Sequence, residues 1–272
     1  MTGGTALIAG RGTLPATLVS GATNRPLVAA MQGFHPDDLI PDLTFRLERL
    51  MPFLAALQDA GIARVVFAGA VTRPGGIEAG LVDPATAVVL PALLKAMQAG
   101  DDATLRAVIA LFEANGLAVA SPAELAPGLM PDAGLLSGSL TAQDEADATC
   151  AAAIVDALGM VDVGQGAVVQ QGMCLAVEAL PGTDAMLGTV AAMNVTLRPD
   201  PARGRGLLYK APKPGQDRRI DLPTIGPATA AAVARAGLGG IVFQAGGTIL
   251  LNRAATIAAC ESAGLFLWSR AP

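Results

Sequence analysis

The sequence predicts an α/β protein of two domains: a Rossmann-like N-terminal domain with a parallel sheet, and a mixed α/β (α+β) C-terminal domain. Three observations lead to this fold class. Short apolar runs alternate with helix-like segments up to residue 121, the order expected of βαβ units. Residues 122–139 are rich in Pro, Gly and Asp, and strand-like runs lie closer together after residue 160. We therefore predict domains of residues 1–135 and 136–272.

In the N-terminal domain, strands are predicted where small or branched apolar residues form short runs, and helices where longer segments follow them. The predicted strands cover residues 5–10, 26–33, 65–71 and 117–121. The predicted helices cover residues 15–22, 47–60, 86–99 and 101–115. Pro15 suits the first turn of the first helix, and Gly116 suits the end of the last. This order favours parallel strands with helices on both faces of the sheet.

The C-terminal domain is predicted to begin with an acidic helix over residues 141–158, after a loop over 122–139. Thr141 and Asp144 suit the cap and first turn of this helix. The runs GAVVQQG and MCLAVEAL meet at Gly172 and predict a hairpin. The remaining strand-like runs are GLLYKAP, GGIVFQA, GTILLN and LFLWS, with helices near residues 184–193, 227–236 and 253–263.

The composition excludes several classes of protein. With 272 residues and 52% hydrophobic content, the chain is not disordered and is long enough to bury a sizeable core. A net charge of −5 argues against nucleic acid as a partner, which requires a basic face. Charged residues interrupt the apolar runs before they reach the length of about 18 residues that a membrane span needs. The N-terminus lacks the features of a signal peptide, so cytoplasmic residence is expected.

The cysteine and histidine content limits the chemistry further. Cys150, Cys174 and Cys260 are odd in number and far apart, so neither a disulfide framework nor a paired-cysteine metal site is indicated. His35 is the single histidine, and a catalytic triad or a multi-histidine metal site would have to be built around it. Any metal is therefore expected to have oxygen ligands, which favours Mg²⁺ or Mn²⁺ over zinc.

The turn Gly10-Arg11-Gly12 follows the first predicted strand and opens a helix. Free N–H groups and the positive end of a helix dipole at such a turn favour a phosphate. The turn departs from the dinucleotide fingerprint, because Pro15 stands in place of its third glycine and no acid able to hold a ribose precedes Asp37. This argues against NAD. A tight strand-to-helix turn without a ligand is the alternative.

Several shorter features are further candidates. Gly69, Thr72 and Arg73 follow the third predicted strand, where ligands of open α/β sheets bind, and a guanidinium suits phosphate. An ordinary surface arginine is the alternative. Gln165-Gly166 and Thr183-Asp184 are interpreted either as ligand contacts or as a simple turn and a helix cap. Asp101-Asp102 is interpreted first as a helix N-terminus, with a ligand role as the alternative.

The strongest concentration of charge lies between residues 198 and 219. It holds seven of the 18 Lys and Arg residues of an acidic chain, namely Arg198, Arg203, Arg205, Lys210, Lys213, Arg218 and Arg219. Such a patch attracts a phosphorylated ligand. Asp217 and Asp221 lie among these cations, which should keep both carboxylates ionised and suits Mg²⁺ bound together with a pyrophosphate. The alternative is that Asp221 or Thr224 caps the helix predicted over 227–236.

Seven short runs, spread in order over almost the whole chain, carry a family resemblance. They are LIAGRGTLP, FAGAVTRP, GDDATLR, VDVGQGAVV, GTDAML, KAPKPGQDRRIDLPTIG and RAGLGGIV. Together they resemble the LpxI family of UDP-2,3-diacylglucosamine pyrophosphatases, and the stretch from KAPKP to DLPTIG is the most specific. The resemblance implies an enzyme of lipid A biosynthesis, cytoplasmic and peripheral to the inner membrane. It also implies that water attacks the α-phosphorus of UDP-2,3-diacylglucosamine with Mg²⁺ as cofactor, giving UMP and 2,3-diacylglucosamine 1-phosphate (lipid X).

The resemblance places the family's catalytic aspartate on Asp221, which we expect to bind Mg²⁺. Lys210, Lys213 and Arg219 are expected to contact the diphosphate, and Asp217 to support the metal or orient water. The turns at Gly10 and Gly69 are candidates for nucleotide or sugar, and Thr224 joins the predicted substrate contacts. We also predict a homodimer. Two other classes stay open: a noncatalytic sugar-nucleotide or phospholipid binding protein, which releases no UMP, and an NAD(P)-dependent oxidoreductase, which binds nicotinamide.

Overall fold

The computed structural model describes residues 3–72 and 76–272, and the chain divides into two compact units. The first comprises Met1–Gly128 with Asp217–Asp221, and the second comprises Leu129–Gln216 with Leu222–Pro272. The chain thus leaves the second unit at residue 217 and returns to it at residue 222. We call Asp217–Asp221 the inserted segment. It contains Asp217, Arg219 and Asp221, three residues that the sequence predicts to be catalytic.

In its described residues the first unit has five parallel strands and five α-helices. The strands are β1 (Gly4–Ala9), β2 (Leu27–Met31), β3 (Leu43–Phe45), β4 (Ile62–Ala68) and β5 (Ala118–Ala120). The helices are α1 (Leu14–Gly21), α2 (Leu50–Asp59), α3 (Pro84–Ala99), α4 (Asp101–Ala114) and α5 (Pro122–Leu125). The sheet order is β3-β2-β1-β4-β5, so the strand order reverses between β1 and β4 in the Rossmann-like manner. This confirms the predicted fold of the N-terminal domain.

The core of the first unit explains why its apolar runs form strands. Leu7 of β1 and Val65 of β4 are fully buried, as expected for parallel strands covered on both faces. Phe67 of β4 meets Phe112 of α4 edge to face, with ring centroids 5.1 Å apart. Ile220 of the inserted segment is 6% exposed and belongs to the same hydrophobic cluster. Burial of this one side chain anchors the inserted segment to the first unit.

The second unit contains a six-stranded mixed sheet. Its strands are β6 (Gly134–Ser137), β7 (Gly166–Gln170), β8 (Met173–Val177), β9 (Leu207–Lys210), β11 (Gly240–Gln244) and β13 (Phe266–Arg270), while β10 (Thr224–Ile225) and β12 (Ile249–Leu250) form a separate pair. Its helices are α6 (Ala142–Gly159), α7 (Gly182–Ala192), α8 (Pro227–Arg235) and α9 (Arg253–Ser262). The order is β6-β13-β11-β9-β7-β8, with β9, β11 and β13 parallel and the outer pairings antiparallel. The predicted mixed α/β class is confirmed.

The prediction of a loop over residues 122–139 was wrong in part. This stretch contains the short helix α5 and the edge strand β6, which pairs antiparallel with β13. The four residues of β6 are too few to show a period in the sequence. They become a strand because β13, far along the chain near its C-terminal end, offers its unpaired edge. The three-residue strand β3 escaped prediction for the same reason.

The predicted cap of α6 and the hairpin at Gly172 are confirmed. Thr141 accepts a hydrogen bond from the backbone N–H of Asp144, and Asp144 accepts one in return from the N–H of Thr141. Gln171 and Gly172 connect β7 to β8 with φ of 52° and 76°, as a primed hairpin turn requires. The buried carboxylate of Asp147 accepts hydrogen bonds from the N–H groups of both turn residues, a tertiary contact that no local pattern shows.

None of the helices in the described part of the chain combines the length and apolar character needed to span a bilayer.

Candidate active site

The inserted segment is held by a fork between Arg219 and Asp217. Nε of Arg219 donates to Oδ1 of Asp217 at 2.9 Å, and Nη2 of Arg219 donates to Oδ2 at 2.6 Å. The backbone N–H of Arg219 also donates to Oδ1, at 3.0 Å. Nη1 of Arg219 reaches Oε1 of Glu113 on α4 at 2.6 Å. The segment is therefore tied to the first unit by one buried side chain and one bridging guanidinium.

The electrostatics of this fork fix the charge of both groups. Hydrogen bonds from the guanidinium of Arg219 lower the pKa of Asp217 below its usual range, against a smaller opposing effect of desolvation. The positive charge of Arg106 adds to this lowering. The same fork raises the pKa of Arg219. Asp217 is consequently a firmly ionised carboxylate whose two oxygens both accept hydrogen bonds from one neighbour.

We expect the Asp217→Asn variant to be less stable than the wild-type protein at neutral pH but equally stable in acid. Because the pKa of Asp217 is lowered on folding, its carboxylate contributes fully to the free energy of unfolding above about pH 4, the ordinary value for Asp. The contribution is lost as the pH falls through the lower, folded-state pKa. For a partly exposed pair it amounts to about 1 kcal/mol at pH 7. Urea unfolding of both proteins over a pH series measures the difference.

The exposed residue Asp38 provides the control for this pH dependence. Asp38→Asn should leave the free energy of unfolding close to that of the wild type at every pH in the series. A gap between wild type and Asp217→Asn that persists unchanged below about pH 3 would contradict the assignment.

Asp221 ends the inserted segment with an unusual backbone. It is exposed and has φ of 56°, in the left-handed region that few residues other than glycine adopt. Aspartate tolerates this region better than most residues. Anchored Ile220 comes immediately before it, and buried Leu222 immediately after. Asp221 is thus an exposed residue at the end of the inserted segment, directly after the side chain that anchors this segment to the first unit.

A partly buried cluster in the second unit contains Lys210, the last residue of β9. Its Nζ donates to Oγ1 of Thr183 at 2.7 Å and lies 3.5 Å from Oε2 of Glu178. Oγ1 of Thr183 donates in turn to the same Oε2 at 3.0 Å. The structure therefore brings together Lys210 and Thr183, both selected from the sequence, with Glu178, which the sequence analysis missed. Gly166, another selected residue, lies directly against Oε2 of Glu178.

The other predicted site residues of the second unit lie near these cluster residues along the chain, but their side chains or backbone groups have other partners. Nζ of Lys213 forms an ion pair with Asp162, a residue with φ of 57° just after α6 that was also missed. The carbonyl of Gln165 accepts the N–H of Ala211 at 3.1 Å. Asp184 is exposed beside Thr183 on α7. The hydroxyl of Thr224, on β10, donates to the carbonyl of Leu222 at 3.2 Å.

In the first unit, the predicted glycine turns meet at the carboxyl edge of the sheet. The backbones of Arg11 and Ala70 exchange two hydrogen bonds of 2.9 Å, one in each direction. A Cβ at Gly10 would lie 2.6 Å from the carbonyl oxygen of Ala70, and one at Gly69 would lie 2.6 Å from the backbone of Gly10. Close packing of the two turns therefore accounts for both glycines. Their position is still the point between β1 and β4 where open α/β sheets bind ligands.

Three further predicted residues belong to this sheet edge. The guanidinium of Arg11 donates to the carbonyl of Gly33 at 2.8 Å and lies 5.1 Å from the ring centre of Phe34. Gly12 has φ of 95°, which only glycine adopts readily, and Thr72 is exposed.

Two further predictions in the first unit concern Arg73 and Asp101. Arg73 lies outside the described residues. The backbone of Asp101 begins α4, as the interpretation of this pair as a helix N-terminus predicts.

The residues present can be tested against the expected Mg²⁺. Among the side chains that the structure describes, no group of three or more His, Cys, Asp or Glu is placed to hold a metal ion. Proteins often bind Mg²⁺ with one or two carboxylates plus the phosphates of a substrate. The exposed carboxylate of Asp221 fits this second arrangement. Asp217 fits it less well, because Arg219 engages both of its carboxylate oxygens.

These observations define a class of protein: two α/β units, with carboxylates and cations suited to a phosphorylated ligand on the segments around β9 and on the inserted segment. The family comparisons then identify it. The LpxI N-terminal domain matches residues 4–129 and the LpxI C-terminal domain matches residues 132–268. The chain therefore belongs to the LpxI family, which confirms the resemblance seen in the sequence.

A curated relative agrees with this assignment. The chain is 40% identical over 267 residues to the UDP-2,3-diacylglucosamine pyrophosphatase LpxI of Caulobacter vibrioides. The alignment covers 96% of this chain and 95% of the relative. The similarity thus spans both units and the inserted segment.

Proposed function

We propose that this chain hydrolyses UDP-2,3-diacylglucosamine to UMP and 2,3-diacylglucosamine 1-phosphate in lipid A biosynthesis, with Mg²⁺ as cofactor. Membership of the LpxI family and near full-length identity to the Caulobacter vibrioides pyrophosphatase support the activity. The observation that carries the site is Asp221, an exposed carboxylate held in a left-handed conformation on the DLPTIG motif. A strained residue kept in place by its surroundings often marks a functional position.

The proposed reaction is one displacement at phosphorus. The oxygen of water forms a bond to the α-phosphorus, the bond from this phosphorus to the bridging oxygen breaks, and the sugar 1-phosphate leaves with that oxygen. Mg²⁺, when bound, neutralises phosphate charge and makes water a better nucleophile. The carboxylate of Asp221 would hold this cation. Asp217 supports the metal site through Arg219, whose position it fixes.

The cations of this region contribute by binding the diphosphate. Lys210, Lys213 and Arg219 each have a carboxylate neighbour in the structure, respectively Glu178, Asp162 and the pair of Asp217 with Glu113. These carboxylates hold the cationic groups in fixed positions before a ligand arrives, which lowers the entropy cost of binding.

The remaining predicted residues are proposed to bind the rest of the substrate. In the first unit the sheet edge with Gly10, Arg11, Gly12, Gly69 and Thr72 binds nucleotide or sugar, and Arg73, which the sequence pattern adds, is proposed to contribute to the same binding. In the second unit the additional contacts are Gln165, Gly166, Thr183, Asp184 and Thr224. The general location of ligands at the carboxyl edge of parallel strands supports the first group.

We also propose that the protein works as a cytoplasmic homodimer at the surface of the inner membrane. The reason for the membrane location is the substrate itself. Each buried methylene of an acyl chain contributes about 0.8 kcal/mol to membrane binding, so a diacylated sugar nucleotide stays in the bilayer. An enzyme that acts on it has to meet it there.

Oxygen labelling tests both the activity and the site of attack. We expect the purified protein, given UDP-2,3-diacylglucosamine and Mg²⁺ in ¹⁸O-labelled water, to place one labelled oxygen in UMP and none in the lipid product, as mass spectrometry would show. Label in the lipid phosphate would instead mean attack at the β-phosphorus. Binding of the substrate without any release of UMP would favour the noncatalytic binding protein.

A further inference from the structure

Glu178 is a nearly buried carboxylate that takes no direct part in the proposed reaction. It follows β8, and its side chain is 14% exposed, beside a Lys210 side chain that is 7% exposed. Its Oε2 accepts the hydroxyl proton of Thr183 and lies 3.5 Å from Nζ of Lys210. Charged groups this well buried are rare unless they are paired.

The glycine-containing run before β7 makes room for this carboxylate. A Cβ at Gly166 would lie 2.6 Å from Oε2 of Glu178, and a Cβ at Gly164 would lie 2.0 Å from its backbone oxygen. The N–H of Glu178 also donates to the carbonyl of Gly166 at 2.8 Å. Neither glycine has a positive φ, so neither is needed for a left-handed turn. Because glycine has no side chain, both positions leave the space that Glu178 occupies, and Glu178 packs directly against them.

Lys210 is positioned from three directions. Its backbone is locked in β9, between β7 and β11. Its carbonyl accepts the hydroxyl of the fully buried Thr248 at 3.4 Å. Its ammonium group donates to Thr183, near the start of α7. Glu178 supplies the opposite charge that offsets burial of the ammonium group.

We infer that Glu178 is a positioning residue that holds the ammonium group of Lys210, through Thr183, in the orientation that binds a phosphate of the substrate. The inference rests on the proposed function, because it assigns Lys210 to the diphosphate. Glu178 itself does not touch the reacting atoms. Its effect is to keep Nζ in one place, and misplacing such a group by about 1 Å lowers rates about 100-fold.

A double-mutant cycle with Lys210 tests the inference. Glu178→Gln keeps the size of the side chain and removes its charge, and Lys210→Met removes the ammonium group but keeps its apolar stem. We expect Glu178→Gln to lower kcat between about 10-fold and 100-fold with KM changed less than about threefold. In the Lys210→Met background the same change should have no further effect on kcat, because the group that it positions is gone. Glu178→Asp should restore part of the rate.

The buried Asp147 provides the matched control. Asp147→Asn alters another buried carboxylate of the second unit, one that holds the hairpin turn, and should lower the melting temperature without a loss of kcat. A merely structural role for Glu178 would give this same pattern in Glu178→Gln, or effects on kcat that add to those of Lys210→Met. Either result would overturn the inference.

A second measurement does not depend on turnover. Acetylation of Lys210 by acetic anhydride, measured by mass spectrometry relative to Lys95, should rise about tenfold in Glu178→Gln, because the lysine loses the charged partner that keeps its side chain in a buried position, and its amine is then exposed to the reagent more often. Unchanged labelling would overturn the inference even if Glu178→Gln folds poorly enough to prevent kinetics. If the wild-type protein released no UMP, the proposed function would fail, and labelling would still decide whether Glu178 positions Lys210.

Discussion

Replacing Asp221 by asparagine is expected to lower the rate of UMP release about 10³-fold while the protein stays folded. That factor corresponds to about 4 kcal/mol of lost transition-state stabilisation. The reason is that the proposed site relies on one exposed carboxylate to hold the cation beside the diphosphate. Asparagine is the most informative substitution because it adopts the left-handed backbone conformation of Asp221 about as readily as aspartate does. The charge is therefore removed without adding backbone strain.

Asp221→Ala separates charge from conformation. Alanine in the left-handed region is destabilising by about 1 kcal/mol, so this variant should lose both activity and some thermal stability, while Asp221→Asn loses activity alone. Steady-state kinetics with saturating Mg²⁺ and thermal unfolding of the three proteins provide the comparison. Near wild-type turnover in Asp221→Asn would remove Asp221 from the mechanism.

Removing divalent cations with EDTA is expected to abolish UMP release, and adding Mg²⁺ is expected to restore it. The proposed site relies on a cation held by the carboxylate of Asp221 to activate water, so removal of the cation removes that activation. Mn²⁺ should also restore activity, because it accepts the same oxygen ligands in octahedral geometry. Full activity after complete chelation would contradict the metal-dependent mechanism.

A binding measurement links this metal dependence to one residue. UMP with Mg²⁺ should raise the melting temperature of the wild-type protein more than either does alone, because each ligand that binds only the folded state adds stability. Asp221→Asn should lose the part of the increase that requires Mg²⁺. The matched variant Asp217→Asn should keep most of it, since Arg219 engages both oxygens of Asp217. Equal responses of the two variants would leave Asp221 without its assigned role.

Most of the fold could be predicted from local patterns. Five central strands are short apolar runs that are largely buried in the structure, namely β1, β4, β7, β9 and β11. Strands buried on both faces consist mostly of apolar residues, so they can be recognised as apolar runs in the sequence. The cap of α6 and the turn at Gly172 are likewise set by residues within a few positions of each other. The edge strands β3 and β6 were missed because pairing with another strand, and not their own pattern, makes them strands.

Some features of the candidate site could likewise be predicted from the sequence, and others could be seen only in the structure. The sequence alone indicated the class of ligand and the family: it has a cationic loop with aspartates in an acidic chain with one histidine, and runs that resemble the LpxI family. Residue type and spacing carry that information directly. Only the tertiary structure decided which charges are paired, because the partners are distant in the chain. Arg219 lies 106 positions from Glu113, and Lys213 lies 51 positions from Asp162.

The inserted segment shows the physical reason for this division. Its residue types indicate a charged loop. They do not show that Ile220 is buried in the first unit or that Arg219 contacts both Asp217 and Glu113. Burial and ion pairing depend on which groups the folded chain brings within a few ångströms, and residues far apart in sequence carry no local record of that. The sequence thus indicated the kind of ligand and pointed to Asp221, and only the tertiary structure showed that Asp217 is paired with Arg219 and that Arg219 also reaches Glu113.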